Sequence, residues 1–274
     1  MASASDDDRR FTAELIAAWD RGAATYDAMP RHGILHDDEW RAWRRLLAAI
    51  LGDAAHSRIA PRRILDVGTG TGVVALLAAE LGHDVTGVDL SREMLARARS
   101  KAAEAGLPVD WRVADAAALP PDLVGFDVVI ARHVLWTLPR PDRALTSWRD
   151  AARAGGLIVV IDGTNRRPPG PLGDVQRAVG RLADRLAAGN GGEVSVDHSY
   201  PAWVRARLPL ADQRDTRPIA ELLATAGLER VVVRPTRELD RVEGSHQPLV
   251  VRIADPWRRY VATARTPILT ASQP

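Results

Sequence analysis

The feature that most constrains the fold is a regular alternation of strand-like and helix-like segments between residues 63 and 162. Short apolar runs typical of strands cover residues 63–67, 84–90, 109–115, 126–131 and 156–162. Segments with helical spacing of apolar residues lie between them, at residues 73–81, 91–105 and 141–153. This alternation predicts an α/β fold, with a mostly parallel sheet covered by helices on both faces.

Further elements flank this alternating segment on both sides. Helical spacing predicts two preceding helices, from Phe11 to about Arg21 and from Asp37 to Leu51, and two later ones at residues 172–188 and 217–228. Residues 230–235 and 257–265 are predicted as the last two strands. Because no long polar linker divides the chain, we predict one domain over residues 1–274. It comprises an N-terminal helical cap (1–57), a core (58–163), an insert (164–215) and a C-terminal part of the sheet (216–274).

Charge and composition exclude several classes of protein. The chain has 37 Lys and Arg against 35 Asp and Glu, so its formal net charge is only +2. The two signs are interspersed, as in HDDEWRAWRR and RELDRVE, which predicts a mixed, solvated surface and no nucleic-acid partner. The absence of cysteine excludes disulfides, thiolate metal sites and a cysteine nucleophile. The acidic start MASASDDDRR and the lack of a membrane-length apolar run predict a cytoplasmic protein with no membrane partner. We expect a monomer or a homodimer.

The first turn between a strand and a helix carries three glycines. The stretch LDVGTGTG places Gly68, Gly70 and Gly72 where a missing Cβ lets the backbone approach a ligand. A dinucleotide fingerprint would put its third glycine at position 73, where the chain has Val73. Asp66, two residues before the first glycine, would repel a pyrophosphate. The turn therefore favours a ligand with a cationic end.

Acidic residues follow three successive predicted strands. Asp66 lies at the first strand, and Asp89 lies 21 residues after Gly68, where an acid in this fold accepts hydrogen bonds from a ribose diol. Asp115 follows the third strand, where its carboxylate can accept from an adenine amine. Since parallel strands end at the same edge of a sheet, the three acids together predict a pocket for a positively charged nucleoside.

The sequence motifs resemble those of a known family. ILDVGTGTGVVALLAAELGHDVTGVDLSREMLARAR, followed by VADAAALP, FDVVIARHVLWTLPRPDRAL and GGLIVVIDG, resembles the class I S-adenosylmethionine-dependent methyltransferases. It is most similar to their small-molecule branch near the ubiquinone and menaquinone biosynthesis C-methyltransferases. The resemblance is strong over about residues 60 to 163. It implies a Rossmann-like seven-stranded sheet whose last strand is antiparallel. It also implies S-adenosyl-L-methionine as cofactor, S-adenosyl-L-homocysteine as product and a lid formed by the insert.

The resemblance also implies which residues would hold the cofactor. Those for its methionine part are Asp66, Gly68, Thr69, Gly70 and Gly72. Those for the nucleoside are Asp89 at the ribose, Asp115 and Ala116 at the adenine, and Leu90 and Met94 on the adenine's apolar face. Arg132 is predicted to line the same pocket, and Tyr26 of the segment AWDRGAATYDAMPRHG to close over it.

Candidate catalytic residues come from the end of the fourth strand and from the N-terminal loop. We rank His133 first, as a general base or as a group that orients the acceptor, although a histidine bonded to the surrounding structure would also fit. Tyr26 is predicted to contact the cofactor, and His32 to face the acceptor. The predicted substrate contacts are His32, Trp136, His198 and Tyr200.

Several other residues are interpreted as structural, with no role in binding or catalysis. Trp40 and Trp43 lie close together on one helix and are predicted to pack in the core. The stretch HGILHDDE has no convincing metal-ligand spacing, so we predict no metal and interpret it as a loop that enters a helix with acids on its first turn. The residues ARHVLW stand where methyltransferases of DNA bases or glutamine carry an Asn/Asp-Pro-Pro-aromatic turn, which disfavours those acceptors.

Three functions stay open at this point. The leading one is methyl transfer to an O, N or C atom of a small molecule, in specialised metabolism. The second is a protein that binds the sulfonium cofactor or its product without transferring methyl, as a regulator or a cyclase. The third is an NAD(P)-dependent oxidoreductase on a similar sheet, which the glycine spacing and Asp66 disfavour.

Overall fold

The computed structural model describes residues 6–29, 31–165, 170–171, 173–175, 178, 200–211, 213–247 and 257–268. Most of the predicted helix at residues 172–188, and His198, lie outside these residues. Among the described helices, none is both long and apolar enough to cross a membrane.

Seven strands form a single sheet. They are β1 (Arg63–Val67), β2 (Asp84–Asp89), β3 (Asp110–Val113), β4 (Phe126–Arg132), β5 (Ala152–Asn165), β6 (Glu229–Pro235) and β7 (Trp257–Arg265). Their order is β3-β2-β1-β4-β5-β7-β6, and β7 pairs antiparallel with both of its neighbours. The pairs from β3 to β5 are all parallel, so the α/β fold with an antiparallel last strand is confirmed. The order reverses between β1 and β4, where ligands bind in open sheets of this kind.

Helices surround the sheet. They are α1 (Asp6–Gly22), α2 (Asp37–Leu51), α3 (Val73–Glu80), α4 (Arg92–Ala105), α5 (Pro141–Ala151), α6 (Ala202–Arg205), α7 (Arg217–Thr225) and α8 (Arg237–Ser245). Short 3-10 turns cover Tyr26–Ala28 and Leu135–Thr137. The two faces of the sheet bury two separate apolar clusters, because neighbouring strand residues such as Ile64 and Leu65 point to opposite faces. One cluster includes residues of α2 and α3, and the other includes residues of α5 and α7.

The mixed-surface interpretation of HDDEWRAWRR and RELDRVE is wrong at several positions. RELDRVE begins α8, a helix that the sequence did not predict, and its Leu239 and Glu243 are buried. Trp43 of α2 has no exposed surface, which confirms its predicted packing role, and its Nε1 donates to Glu243 Oε1 at 3.2 Å. Arg259 of β7 donates from Nη1 to Glu243 Oε2 at 2.7 Å. These charged residues are buried because each finds a partner on a distant element.

Two arginines contact the ring of Trp43. The guanidinium carbons of Arg132 and Arg259 each lie 4.8 Å from the ring centroid, within the range of a cation–π contact. Both side chains also donate to the backbone carbonyl of Arg31, at 2.7 Å and 3.3 Å. Arg132 donates further to the carbonyl of His32 at 2.7 Å. The loop that enters α2 is therefore fixed to the ends of β4 and β7.

A substitution on α8 tests how much this buried group stabilises the fold. Glu243→Ala leaves the Arg259 guanidinium buried without its carboxylate, so we expect the free energy of unfolding to fall by about 3 to 5 kcal/mol. Glu238 lies on the same helix but pairs with Arg45 at the surface, so Glu238→Ala should cost less than about 1 kcal/mol. Urea unfolding of both variants measures the difference. Equal losses would contradict the role given to Glu243.

Candidate active site

A cavity lies at the carboxyl ends of the strands beside the reversal of strand order. The walls include residues of α1, of the turns after β1 to β4 and of the 3-10 turn Tyr26–Ala28. Predicted site residues that line it are Tyr26, Gly68, Gly70, Asp89, Leu90, Met94, Asp115, Ala116, Arg132 and His133. The structure thus brings together residues from five separate segments of the chain.

The three glycines of the first turn have different roles. All have positive φ, of 65° at Gly68, 55° at Gly70 and 85° at Gly72, a region that residues with a Cβ rarely adopt. A Cβ on Gly68 would lie 2.3 Å from Val134, and one on Gly72 would lie 3.0 Å from the Cβ of Ala98. A Cβ on Gly70 would meet no atom within 4 Å. Gly68 and Gly72 therefore allow close packing, whereas Gly70 exposes backbone to the cavity.

Asp89 is held in place by backbone amides. Its Oδ2 accepts from the N–H of Gly70 and its Oδ1 from the N–H of Ser91, both at 2.8 Å. Burial raises the pKa of Asp89, while these two bonds oppose the rise. A carboxylate has about four acceptor positions, so acceptor capacity remains for a ligand in the cavity. Ser91 is the N-cap of α4, because its Oγ accepts from the N–H of Met94.

Asp115 lies in a turn that follows β3. The predicted strand 109–115 ends early, at Val113, and Asp115 instead forms an isolated bridge with Ala118. Its Oδ1 accepts from the N–H of Ala117 at 2.8 Å. The carbonyl of Ala116 accepts from the buried indole of Trp148 at 2.7 Å. These contacts fix the turn with Asp115 and Ala116 at the cavity wall.

Asp66 lies beneath the glycine turn. It is 1% exposed, and its Oδ2 accepts from the hydroxyl of Thr69 at 2.6 Å. Burial raises the pKa of Asp66 to about 7, against the effect of the Thr69 bond. The bond from Thr69 to Asp66 stabilises the turn. Asp66, Thr69 and Gly72 are not among the residues that line the cavity. Their contact with the methionine part of a cofactor stays a prediction.

Polar contacts attach the N-terminal segment to the glycine turn and to α4 beside the cavity. Asp27 accepts from the hydroxyl of Thr71 at 2.5 Å and from Lys101 Nζ at 2.7 Å. Asp20 of α1 accepts from the hydroxyl of Ser91. These contacts hold Tyr26 over the cavity, where its ring is 8% exposed. Burial raises the pKa of Tyr26 to about 12, so its hydroxyl stays protonated at neutral pH.

A chain of aromatic rings runs beside the cavity. The neighbouring rings are in edge-to-face or tilted contact, with centroids 4.8 to 6.3 Å apart. In order, the members are Trp136, Tyr200, Trp19, Tyr26, His32 and His133. Of these, Trp136, Tyr200 and His32 were predicted as substrate contacts. Of the three, only His32 contacts His133, whereas Trp136 and Tyr200 lie at the other end of the chain of rings, and none of the three lines the cavity.

His133 is the most unusual residue of the site. Its φ is +59°, its backbone N–H donates to Ile161 and it is 8% exposed. Backbone strain of this kind is concentrated at functional sites. Burial, and then the charges of Arg132 and Arg259, hold the pKa of His133 well below its usual range. Neither its Nε2 nor the hydroxyl of Tyr200 has a hydrogen-bond partner among the described residues.

Sequence reasoning missed two residues beside His133. Asp162 at the end of β5 is buried, and burial raises its pKa to about 7. Asp162 is the last residue of the predicted strand 156–162, and an acid at a strand end is the same signal that identified Asp89 and Asp115. Trp257 lies 5.4 Å from the His133 ring, and a Cβ on Gly163 would meet its indole at 1.9 Å. No local signal indicated Trp257, because its place depends on the pairing of β5 with β7.

Comparison with known proteins agrees with this geometry. Residues 64–156 match the family described as "Methyltransferase domain". A phosphatidylethanolamine N-methyltransferase of Cereibacter sphaeroides is 38% identical over 135 residues, which are 48% of this chain and 66% of that protein. A demethylmenaquinone methyltransferase of Renibacterium salmoninarum is 29% identical over 195 residues, 69% of this chain and 77% of that protein.

A solved structure shares the fold. It is a Haemonchus contortus phosphoethanolamine N-methyltransferase 2 in complex with phosphomonomethylethanolamine and S-adenosylhomocysteine, with a TM-score of 0.62 and 17% identity over 94% of this chain and 60% of that chain. The chain spans less than two thirds of the length of the Cereibacter relative. Residues 64–156 therefore match a methyltransferase domain, and the matches to quinone-biosynthesis methyltransferases support a class I S-adenosylmethionine-dependent methyltransferase of that group.

Proposed function

We propose that this protein transfers a methyl group from S-adenosylmethionine to a small molecule of specialised metabolism that carries a hydroxylated aromatic ring. The observation that carries the proposal is that one cavity is lined by Asp89, Asp115 and the strained, buried His133. The acids suit an adenosine, and His133 stands at the far end, beside the chain of rings.

The cavity residues fit the cofactor. The free acceptor positions of Asp89 would take the ribose hydroxyls, and Asp115 would take the adenine amine. Leu90 and Met94 would flank the purine. When bound, S-adenosylmethionine supplies a methyl group on a positively charged sulfur, ready for in-line displacement. Tyr26, which covers this part of the cavity, would exclude water from it.

Charge and shape favour an aromatic acceptor. Arg132 and Arg259 lie close enough to influence the pKa of His133, so a cationic amine would meet repulsion here. This weighs against an ethanolamine-type acceptor such as the name of the Cereibacter relative implies. Apolar Val134 and Leu138 line the cavity near His133, where a flat ring can pack against them. The demethylmenaquinone methyltransferase among the relatives agrees with such an acceptor.

His133 is suited to remove a proton from the acceptor. Its lowered pKa keeps the imidazole neutral at physiological pH, and a neutral imidazole can accept a proton from a ring hydroxyl. The Tyr200 hydroxyl, also buried, would donate to the acceptor oxygen or carbonyl. A base of this kind contributes typically 10² to 10⁴-fold in rate.

A labelled-methyl assay tests the proposal. The purified chain is incubated with S-adenosylmethionine that carries a tritiated methyl group, and with catechols and hydroquinones or with ethanolamine and phosphoethanolamine. We expect label only in the aromatic set. Label only in the amines would overturn the acceptor class. Binding of the cofactor without transfer to either set would favour the non-methylating regulator or cyclase, and thermal stabilisation by NADH alone would favour an oxidoreductase.

Asp89 tests the cofactor site. Asp89→Asn removes the charged acceptor for the ribose hydroxyls, so we expect the affinity for S-adenosylhomocysteine to fall at least tenfold, about 1.5 to 3 kcal/mol. Asp84→Asn, at the exposed opposite end of the same strand, is the matched control and should change affinity less than twofold. Isothermal titration calorimetry measures both. Similar affinity in wild type and Asp89→Asn would contradict the ribose assignment.

His133 tests the chemical step. His133→Asn should lower kcat by about 10² to 10⁴-fold while the affinity for S-adenosylhomocysteine changes less than twofold. Because the lowered pKa keeps His133 neutral, the ratio of wild-type to variant kcat should stay constant between pH 6 and 8. Exposed His56 provides the control variant His56→Asn, which should keep full activity. A ratio that falls towards one as pH drops from 7 to 6 would show that His133 titrates there, contrary to its buried cationic surroundings.

Tyr200 tests acceptor binding. Tyr200→Phe deletes one hydroxyl that has no partner among the described residues, so the melting temperature should not decrease. We expect KM for the aromatic acceptor to rise about 2- to 13-fold, the value of one hydrogen bond of about 0.5 to 1.5 kcal/mol. A drop in melting temperature with unchanged KM would show that the Tyr200 hydroxyl stabilises the fold and does not bind the acceptor.

A further inference from the structure

Two ends of helices meet in a cluster of metal-ligating side chains apart from the cavity. His36 precedes α2, Glu39 lies in its first turn and His246 follows the last residue of α8. Each side chain offers one ligand atom, and these atoms lie within 4.8 Å of one another. The stretch HGILHDDE does enter a helix with acids on its first turn, as predicted. Its neighbour His246 could not be predicted, because it is 210 positions later in the sequence than His36.

We propose that His36, Glu39 and His246 form a binding site for a divalent transition-metal ion of the zinc type. Two imidazoles and one carboxylate are a ligand set that zinc takes in proteins. Calcium and magnesium require mostly oxygen ligands in larger number, which this set does not supply. Three protein ligands leave one position of a tetrahedral site for water.

The contact of His246 with Asp38 supports the assignment. The Nε2 atom of His246 lies 2.9 Å and 3.0 Å from the two carboxylate oxygens of Asp38. Since a carboxylate only accepts, Nε2 carries the proton, and the lone pair of a neutral ring is then on Nδ1. Metal-binding histidines usually donate their other N–H to a carboxylate in this way, which fixes the tautomer and the ring orientation.

Glu39 and His36 are arranged to match. Glu39 is 6% exposed, and its Oε2 accepts from the backbone N–H of Leu35 at 2.8 Å, so the carboxylate is oriented and its other oxygen is available. The rings of His36 and His246 are stacked, with centroids 3.8 Å apart and planes 22° apart. The stack brings the two imidazoles side by side, close enough for both to reach one ion.

The ion would join α2 to α8. Both helices contribute to the buried group formed by Trp43, Glu243 and Arg259, which fixes the loop entering α2. A metal bound at one end of this helix pair stabilises the folded chain over the unfolded one, because the unfolded chain does not hold the three ligands together. The ion therefore acts on stability and is not part of the methyl-transfer chemistry.

The test uses the full chain without a histidine tag, treated with EDTA and dialysed. Titration with ZnCl₂ in a calorimeter should give one site per chain, and ZnCl₂ should raise the melting temperature. CaCl₂ and MgCl₂ should do neither. His36→Asn keeps a good N-cap residue for α2 but removes a ligand, and it should weaken zinc binding at least tenfold, as should His246→Asn.

The matched control is His56→Asn, which removes a surface histidine that also lies beside an aspartate, Asp53. It should bind zinc as the wild type does. Circular dichroism identifies any variant that fails to fold, and Co²⁺ absorption provides a second readout for the wild type, with the intense visible bands of a tetrahedral site. No stoichiometric zinc binding by the wild type, or zinc binding as tight as that of the wild type by His36→Asn or His246→Asn, would overturn the proposal and leave a histidine stack paired with Asp38.

Discussion

The contact of two buried guanidinium groups with the indole of Trp43 is the interaction on which the rest of the site depends. Arg132 comes from β4 and Arg259 from β7, and both donate to the carbonyl of Arg31. A buried cation is stable only where a carboxylate, a ring or carbonyl oxygens replace its lost water. Glu243, Trp43 and the carbonyl of Arg31 supply these three kinds of partner. The N-terminal loop is thus part of the solution to a charge-burial problem, and its position over the sheet edge follows from it.

Charges are separated along that edge. Asp66 and Asp89 lie at the ends of β1 and β2 and Asp115 follows β3, whereas the arginines lie at β4 and β7, with the buried Asp162 of β5 between them. A cofactor whose amine and sulfur are cationic matches the acidic half, and an acceptor that becomes an anion when it loses its proton matches the basic half. His133 stands where the halves meet, and its burial, followed by the charges of Arg132 and Arg259, holds its pKa well below the usual range. Under the proposed function, this polarity would place cofactor and acceptor on opposite sides of the edge.

The parts of the structure that local pattern controls were predictable from the sequence. The alternation of strands and helices and the glycine turn depend on residues within a few positions of each other, and they were confirmed, although β3 ends before the predicted position. Glu243 and Arg259 look like surface charges by the same local rules, since only partners on distant elements, each other and Trp43 among them, make their burial favourable. Asp162 lay within reach of the strand-end rule, but Trp257 and the meeting of His36 with His246 follow from tertiary pairing alone. Residues made functional or buried by long-range partners are the ones that a single sequence does not reveal.

The attachments of the N-terminal segment differ in strength, and the difference has a consequence for ligand exchange. Residues 31–32 are held by buried, charge-assisted bonds from Arg132, each of about 1.5 to 3 kcal/mol. α1 is held by the hydrogen bond of Asp20 and by a small apolar cluster around Phe11 and Leu15, and the 3-10 turn after it by the partly exposed bonds of Asp27 to Thr71 and Lys101. Local opening begins where few buried contacts must break. The segment before Arg31 should therefore detach first, with Tyr26, while the loop at Arg31 and the sheet behind it stay folded.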